Sequence, residues 1–94
     1  MKTQIQSVHF TADQKLLDFI EAKLQKLALF DDTISWGETI LKLDKNPDEG
    51  NKVVLIKLVA SGSDLTAERR ASSFEVAADE ACEALRKQIE KRKK

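Results

Sequence analysis

Apolar positions along this chain follow two rhythms, one of period two and one of period three to four, and the rhythm changes at definite points. Residues Thr3 to Phe10 alternate, Ile5 being set off from Val8 and Phe10 by polar positions, which predicts a first strand. Thr11 has the character of a helix cap, with Asp13 and Gln14 in the turn behind it and Gln14 at the third position of a capping box. Leu16, Leu17, Ile20, Leu24 and Leu27 then recur at helical spacing, so a helix is expected from about Ala12 to about Leu29. Projected at about 100° per residue, Lys15, Lys23 and Lys26 fall on one flank of the apolar stripe, and Asp18 and Glu21 on the other.

Asp31-Asp32-Thr33 reads as a polar turn before a β-favouring run containing Ile34, Trp36, Ile40, Leu41 and Leu43, in which Gly37 could mark a bulge or bend. Asp44 to Asn51 combines Asn46-Pro47 with Gly50-Asn51, two turn signals between apolar runs, and predicts a hairpin loop. Lys52 to Ala60 is a strand rich in Val, Leu and Ile, and Ser61-Gly62-Ser63-Asp64 turns the chain into another from Leu65 to Arg70. Ser73 offers a cap for a final helix whose stripe is Phe74, Ala78, Ala81, Leu85 and Ile89. The order βαβββα predicts an α+β sandwich of two layers. A mostly antiparallel four-stranded sheet carries both helices on one face and turns the other to solvent or a partner.

Composition narrows the class. With 94 residues, 41% hydrophobic and 34% charged, the chain suits one domain, 1–94, too apolar for disorder and too charged for a membrane protein. Apolar runs such as Val53-Val54-Leu55-Ile56 fall far short of the about 20 residues a spanning helix needs, and the N-terminus lacks the apolar region of an export signal. A cytoplasmic protein without a membrane partner is expected. Cys82 stands alone, so no intramolecular disulfide forms, and with the single His9 it leaves too few ligands for zinc. Cys82 is read as a small core residue. Net charge is zero, yet from Arg86 to Lys94 six cations face the single acid Glu90, leaving the preceding residues net acidic.

Catalytic chemistry finds little support. His9 sits near a strand end with no nucleophile motif around it. The acid pairs Asp31-Asp32 and Asp48-Glu49 fall in turns, and Gly37, Gly50 and Gly62 are too scattered to cradle a phosphate. No enzyme, cofactor or small-molecule substrate is expected. The basic end could neutralise phosphates with release of counterions, or it could be a solvated helix end favoured by the helix dipole; sequence pattern leaves both open. Trp36 could serve as a stacking platform or pack beneath a helix, whereas Phe10, Phe19, Phe30 and Phe74 are expected in the core.

Three stretches carry a family resemblance. Phe19 to Leu27, with its Lys23-Leu24-Gln25-Lys26-Leu27, resembles the Lys-x-x-Lys-Leu of helix one in the ribosome hibernation promoting factors, or ribosome-associated inhibitors, also known as sigma-factor modulation proteins. Ser73 to Asp79 and Leu85-Arg86-Lys87-Gln88-Ile89 resemble the start and end of the family's helix two. The resemblance covers essentially the whole chain. It implies a βαβββα domain similar to double-stranded RNA-binding domains, docked on the small ribosomal subunit and its rRNA where messenger and transfer RNA would lie. Lys23, Lys26, Lys87 and Lys91 match basic family positions, and Arg86, Arg92 and Lys93, with Lys15 on the same flank of helix one, are further candidates for rRNA contact. If Lys23 and Lys26 lie beside Lys87 and Lys91, the site is a groove between two helices.

The chain departs from the family at two points. Ser73-Phe74-Glu75 stands where many members have Asp-Met-Tyr, and members are usually more basic. The resemblance is to the short type, whose members lack the further domain that pairs ribosomes, and implies a monomer when free. The alternative is a protein-interaction module that uses the exposed sheet surface, for which mixed charge is suited.

Overall fold

A computed structural model describes residues 1–45 and 50–92 of the chain; positions 46–49 of the expected hairpin loop, including the pair Asp48-Glu49, lie outside the described residues, as do Lys93 and Lys94. The elements are β1 (Lys2–Val8), α1 (Gln14–Ala28), β2 (Trp36–Leu43), β3 (Lys52–Ala60), β4 (Ser63–Ala71) and α2 (Phe74–Arg92). The strands form one sheet in the order β1-β2-β3-β4, with β1 parallel to β2 and the other pairs antiparallel. Parallel pairing of consecutive strands needs a crossover, and α1 supplies it.

Period-two alternation decides which strand residues meet the helices. Gly37, Thr39 and Leu41 of β2 lie level with Leu58, Ile56 and Val54 of β3, and Leu65 and Ala67 extend two of these rows onto β4. All eight are buried, and Leu16, Ile20, Leu24 and Leu27 of α1 join Phe74, Ala78, Ala81, Leu85 and Ile89 of α2 above them. Both helices therefore cover one face. Thr39 lies in this core with its hydroxyl unpartnered among the described residues, a group that would cost about 1–3 kcal/mol relative to a satisfied one.

Several local expectations are corrected. The cap of α1 is Asp13 and not Thr11: its carboxylate accepts from the Leu16 amide at 2.9 Å, and the helix starts at Gln14. His9 takes φ +65°, in the left-handed region that His enters more readily than most residues, and this ends β1 before Phe10. Gly37 forms no bulge. The register runs unbroken through it, and its bareness is used instead for packing, since a Cβ there would meet Met1 Sδ at 3.2 Å and a Leu58 methyl at 3.3 Å. Gly62, at φ +92°, makes the β3–β4 turn shorter than expected, so β4 begins at Ser63.

Among the aromatics, Phe74 is buried and Phe10 stacks on it with ring centroids 5.0 Å apart, while Phe19 packs at the core's edge. Phe30 is not core: it is 41% exposed beside Leu29, which is 84% exposed. It follows the end of α1, where the stripe stops pointing at the sheet. Trp36 lies beneath no helix. It alternates with buried Gly37 and so faces the open side of the sheet, level with Val59.

Candidate nucleic-acid interface

The two helices run in the same direction, and this sets where their charges gather. Gln25 near the end of α1 donates to the Met1 carbonyl at 3.0 Å, so α1 finishes where β1 starts. Gln88 donates to the Thr66 carbonyl at 2.9 Å and Arg92 to the Ser63 hydroxyl at 3.0 Å, so α2 finishes where β4 starts. Since β1 and β4 point the same way through the sheet, the C-termini of both helices lie at one end of the molecule. The negative ends of two helix dipoles coincide there and favour cations. Lys26 occupies the last turn of α1, and Lys91 and Arg92 that of α2.

The helical layer as a whole is not basic. α1 carries three cations and two acids, and α2 four cations and five acids, so the pair is formally neutral. Charge is sorted along α2 instead: Glu75, Asp79, Glu80 and Glu83 precede Arg86, Lys87, Lys91 and Arg92, with Glu90 the one late acid.

A groove of about 330 Å³ opens between the helices. Lys23, Lys26 and Arg86 stand around it, and Leu27, Leu29, Phe30 and Cys82 supply its apolar surface. Lys23 makes an ion pair with Asp79 across the helices, and its ammonium also lies 5.2 Å from the centre of the Phe19 ring. Arg86 is held by Glu83 one turn before it and Glu90 one turn after. The hydrogen bond from Arg86 holds the Glu83 carboxyl below its ordinary range, and the same bond raises the guanidinium further. Burial pushes the Cys82 thiol up to about 11, which keeps it a protonated wall of the groove, as expected of a core cysteine.

Lys87 and Lys91 are elsewhere. They line the opposite flank of α2, over β4, in a concavity of about 590 Å³ that also includes Arg69. Asp79 and Glu83 border both concavities and stand between the two sets of cations. Among the described residues neither Lys26, Lys87 nor Lys91 has an ion-pair partner. Lys15 lies in the first turn of α1, exposed, eight residues or about 12 Å before Lys23, and borders neither concavity.

Arg92 turns inward to the fold. Its Nε lies 3.3 Å from the buried Asp31 carboxylate, and its guanidinium donates to the carbonyls of Ser61 and Ser63. Asp31 in turn accepts from the Thr33 amide at 2.9 Å and hydroxyl at 2.7 Å. One side chain thus ties the end of α2 to both the β3–β4 turn and the α1–β2 loop. Lys93 lies outside the described residues.

Sequence reasoning missed Arg69 and the exposed pair Leu29-Phe30. The signal for Arg69 was present: it continues the alternation Leu65, Ala67 onto the helix-facing side of an edge strand, where a long cation can reach the flank of α2.

A family model described as Sigma 54 modulation protein / S30EA ribosomal protein matches residues 3–94. The chain belongs to this family. Comparison with curated protein sequences gives no significant match. Among solved structures, this S30EA-family chain is similar to a ribosomal subunit interface protein from Coxiella burnetii, with TM-score 0.88 and 22% identity over 99% of this chain and 98% of the other. It is also similar to the N-terminal domain of Protein Y from Thermus thermophilus, with TM-score 0.82 and 18% identity over 97% and 98%. At these identities the likeness establishes the fold: an α+β domain with two helices on a mostly antiparallel, mixed four-stranded sheet.

Proposed function

We propose that this S30EA-family protein is a translation inhibitor of the hibernation type, which binds the small ribosomal subunit through rRNA and covers the messenger and transfer RNA sites. The observation that carries the proposal is the shared end of the parallel helices, where Lys26, Lys87 and Lys91 stand without ion-pair partners among the described residues. Such cations are available to phosphates, and a family of ribosomal description supplies the RNA. Lys23 and Arg86 join them once their acids yield, Lys15 and Lys93 are auxiliary, and Arg92 acts on the end of α2 through its contacts with the loops.

Residues 1–94 act as one ribosome-binding domain, cytoplasmic and monomeric, by binding alone, without cofactor or small-molecule substrate. Supporting binding over catalysis, Cys82 is buried with its thiol proton held and His9 is exposed at a strand end. No helix among the described residues is long and apolar enough to cross a membrane.

Sedimentation with purified small subunits tests the reading. At low salt the wild type should travel with the subunits and fall away as salt rises, while Lys87→Glu with Lys91→Glu should stay at the top of the gradient with an unchanged circular dichroism spectrum. Bound protein should exclude messenger and transfer RNA. A wild type that never leaves the top overturns the proposal.

A second reading, a protein-interaction module, draws on the open sheet face, where half-buried Trp36 and Val59, and likewise Ile40 and Leu55, sit level on β2 and β3 among charges of both signs. Retention of the wild type by a protein partner after nuclease treatment, with no ribosome association, would favour it.

A further inference from the structure

Leu29 and Phe30 are the unexplained residues of the helical layer. Exposed large apolar side chains scattered singly need no account, but these two are adjacent, and both line the groove between the helices. The groove places three kinds of group together: an exposed aromatic ring, an Arg86 guanidinium held by acids before and after it, and the ammonium of Lys26, which has no ion-pair partner among the described residues. Aromatic rings and guanidinium planes are the surfaces on which proteins stack unpaired bases, and a lysine beside them meets the phosphate such a base carries. Double-helical RNA offers no such base.

Charge points the same way. With seven cations against seven acids on its helices, this protein gains less from neutralising phosphates than a basic layer would, and uncharged contacts have more to add to its affinity.

We infer that the groove between α1 and α2 is a base-binding site, which takes one unstacked nucleotide of the ribosomal RNA against Phe30 and Leu29, its phosphate toward Lys26. The inference rests on the ribosome-binding reading and specifies its partner there as single-stranded RNA. Asp79, at the margin of the groove, is placed to accept a hydrogen bond from an amino group of the base once Lys23 swings to phosphate.

The test uses the full chain and purified small subunits, with wild-type sedimentation as the control. Phe30→Ala and, separately, Leu29→Ser remove apolar surface and no charge. Each should weaken binding about tenfold while leaving the slope of affinity against salt unchanged. Leu29 is exposed enough that its replacement leaves the fold alone, so it decides the case where Phe30→Ala fails to fold. A benzophenone side chain in place of Leu29 should crosslink to ribosomal RNA on irradiation. Unaltered affinity in the Leu29 variant, or a crosslink only to ribosomal protein, overturns the base site while ribosome binding stands. Absence of wild-type binding overturns both.

Discussion

The two flanks of α2 carry cations of the same type in different company. On the α1 side, Lys23 and Arg86 stand beside an apolar groove and are each held by carboxylates, Asp79 for one and Glu83 with Glu90 for the other. On the β4 side, Lys87 and Lys91 have no ion-pair partner among the described residues. Half-buried cations beside an apolar surface lose hydration and gain from a local counter-charge, whereas exposed lysines have less need of one. Cations that look alike in the sequence are therefore not equally available to a phosphate. The β4 flank is open at once, and the groove opens when its acids are displaced.

Arg92 marks the end from which both flanks are held, and removing it should have the largest effect on the fold. Arg92→Ala removes the guanidinium from beside the buried Asp31 and takes away its bonds to the two loops at the end of α2. The expected loss is about 2 kcal/mol, read as a lower midpoint in urea denaturation. Arg92→Lys should recover only part of it, because an ammonium cannot replace the fork that meets Asp31 and the serine carbonyls together. A wild-type midpoint for Arg92→Ala would show that the end of α2 is held by packing alone.

Asp79→Asn sharpens the contrast between the flanks. It releases Lys23 and should make the groove behave like the β4 flank, with several-fold tighter binding to unrelated single-stranded RNA and a steeper salt dependence. Stability should change by less than about 1 kcal/mol, since the pair is partly solvated. Equal RNA affinity in variant and wild type would mean that Asp79 does not restrain Lys23. On this view the acids are what keep a neutral protein from holding RNA of any kind, and selectivity is lost with them.

The smallest expected effect concerns Glu83. Its carboxyl is held below the ordinary value of 4.5, chiefly by the hydrogen bond from Arg86, so the folded protein binds fewer protons there than the unfolded chain. The associated stabilisation is complete above that value and fades as pH falls through it and on through the depressed folded value. Carboxyl NMR should find Glu83 titrating below the ordinary glutamate range, and Arg86→Gln should return it there. A Glu83 that titrates normally in the wild type would remove the pairing from the account of the groove.

Local signals were enough for the elements wherever a repeating pattern spans many residues. The stripe of α1 from Leu16 to Leu27 and the β run Lys52 to Ala60 appear in the fold as read, because burying such patterns on one side admits a single local conformation. Element ends were less legible. Thr11 and Asp13 are both acceptable caps, and the folded chain uses Asp13, whose carboxylate accepts from the Leu16 amide.

The projection of α1 also held in part: Lys23 faces α2 through its pair with Asp79, and Glu21 faces β1 through the Thr3 hydroxyl. What α2 does with its own cations was beyond any such projection. A helical wheel gives angles about one axis, not the identity of what lies on either side.

By itself, then, the amino-acid order determined the βαβββα succession, a core shared by two helices and one sheet face, and the crowding of cations toward the end of α2. These depend on neighbours in the chain and on the period of burial. Tertiary structure alone decided that Arg92 turns inward to Asp31, that Lys87 and Lys91 stand on the far flank from Lys23, and that Phe30 lies open beside Leu29. Each of these depends on groups distant in sequence. Only when the helices are set side by side, running the same way, do carboxylates and apolar side chains of one come within reach of the cations of the other.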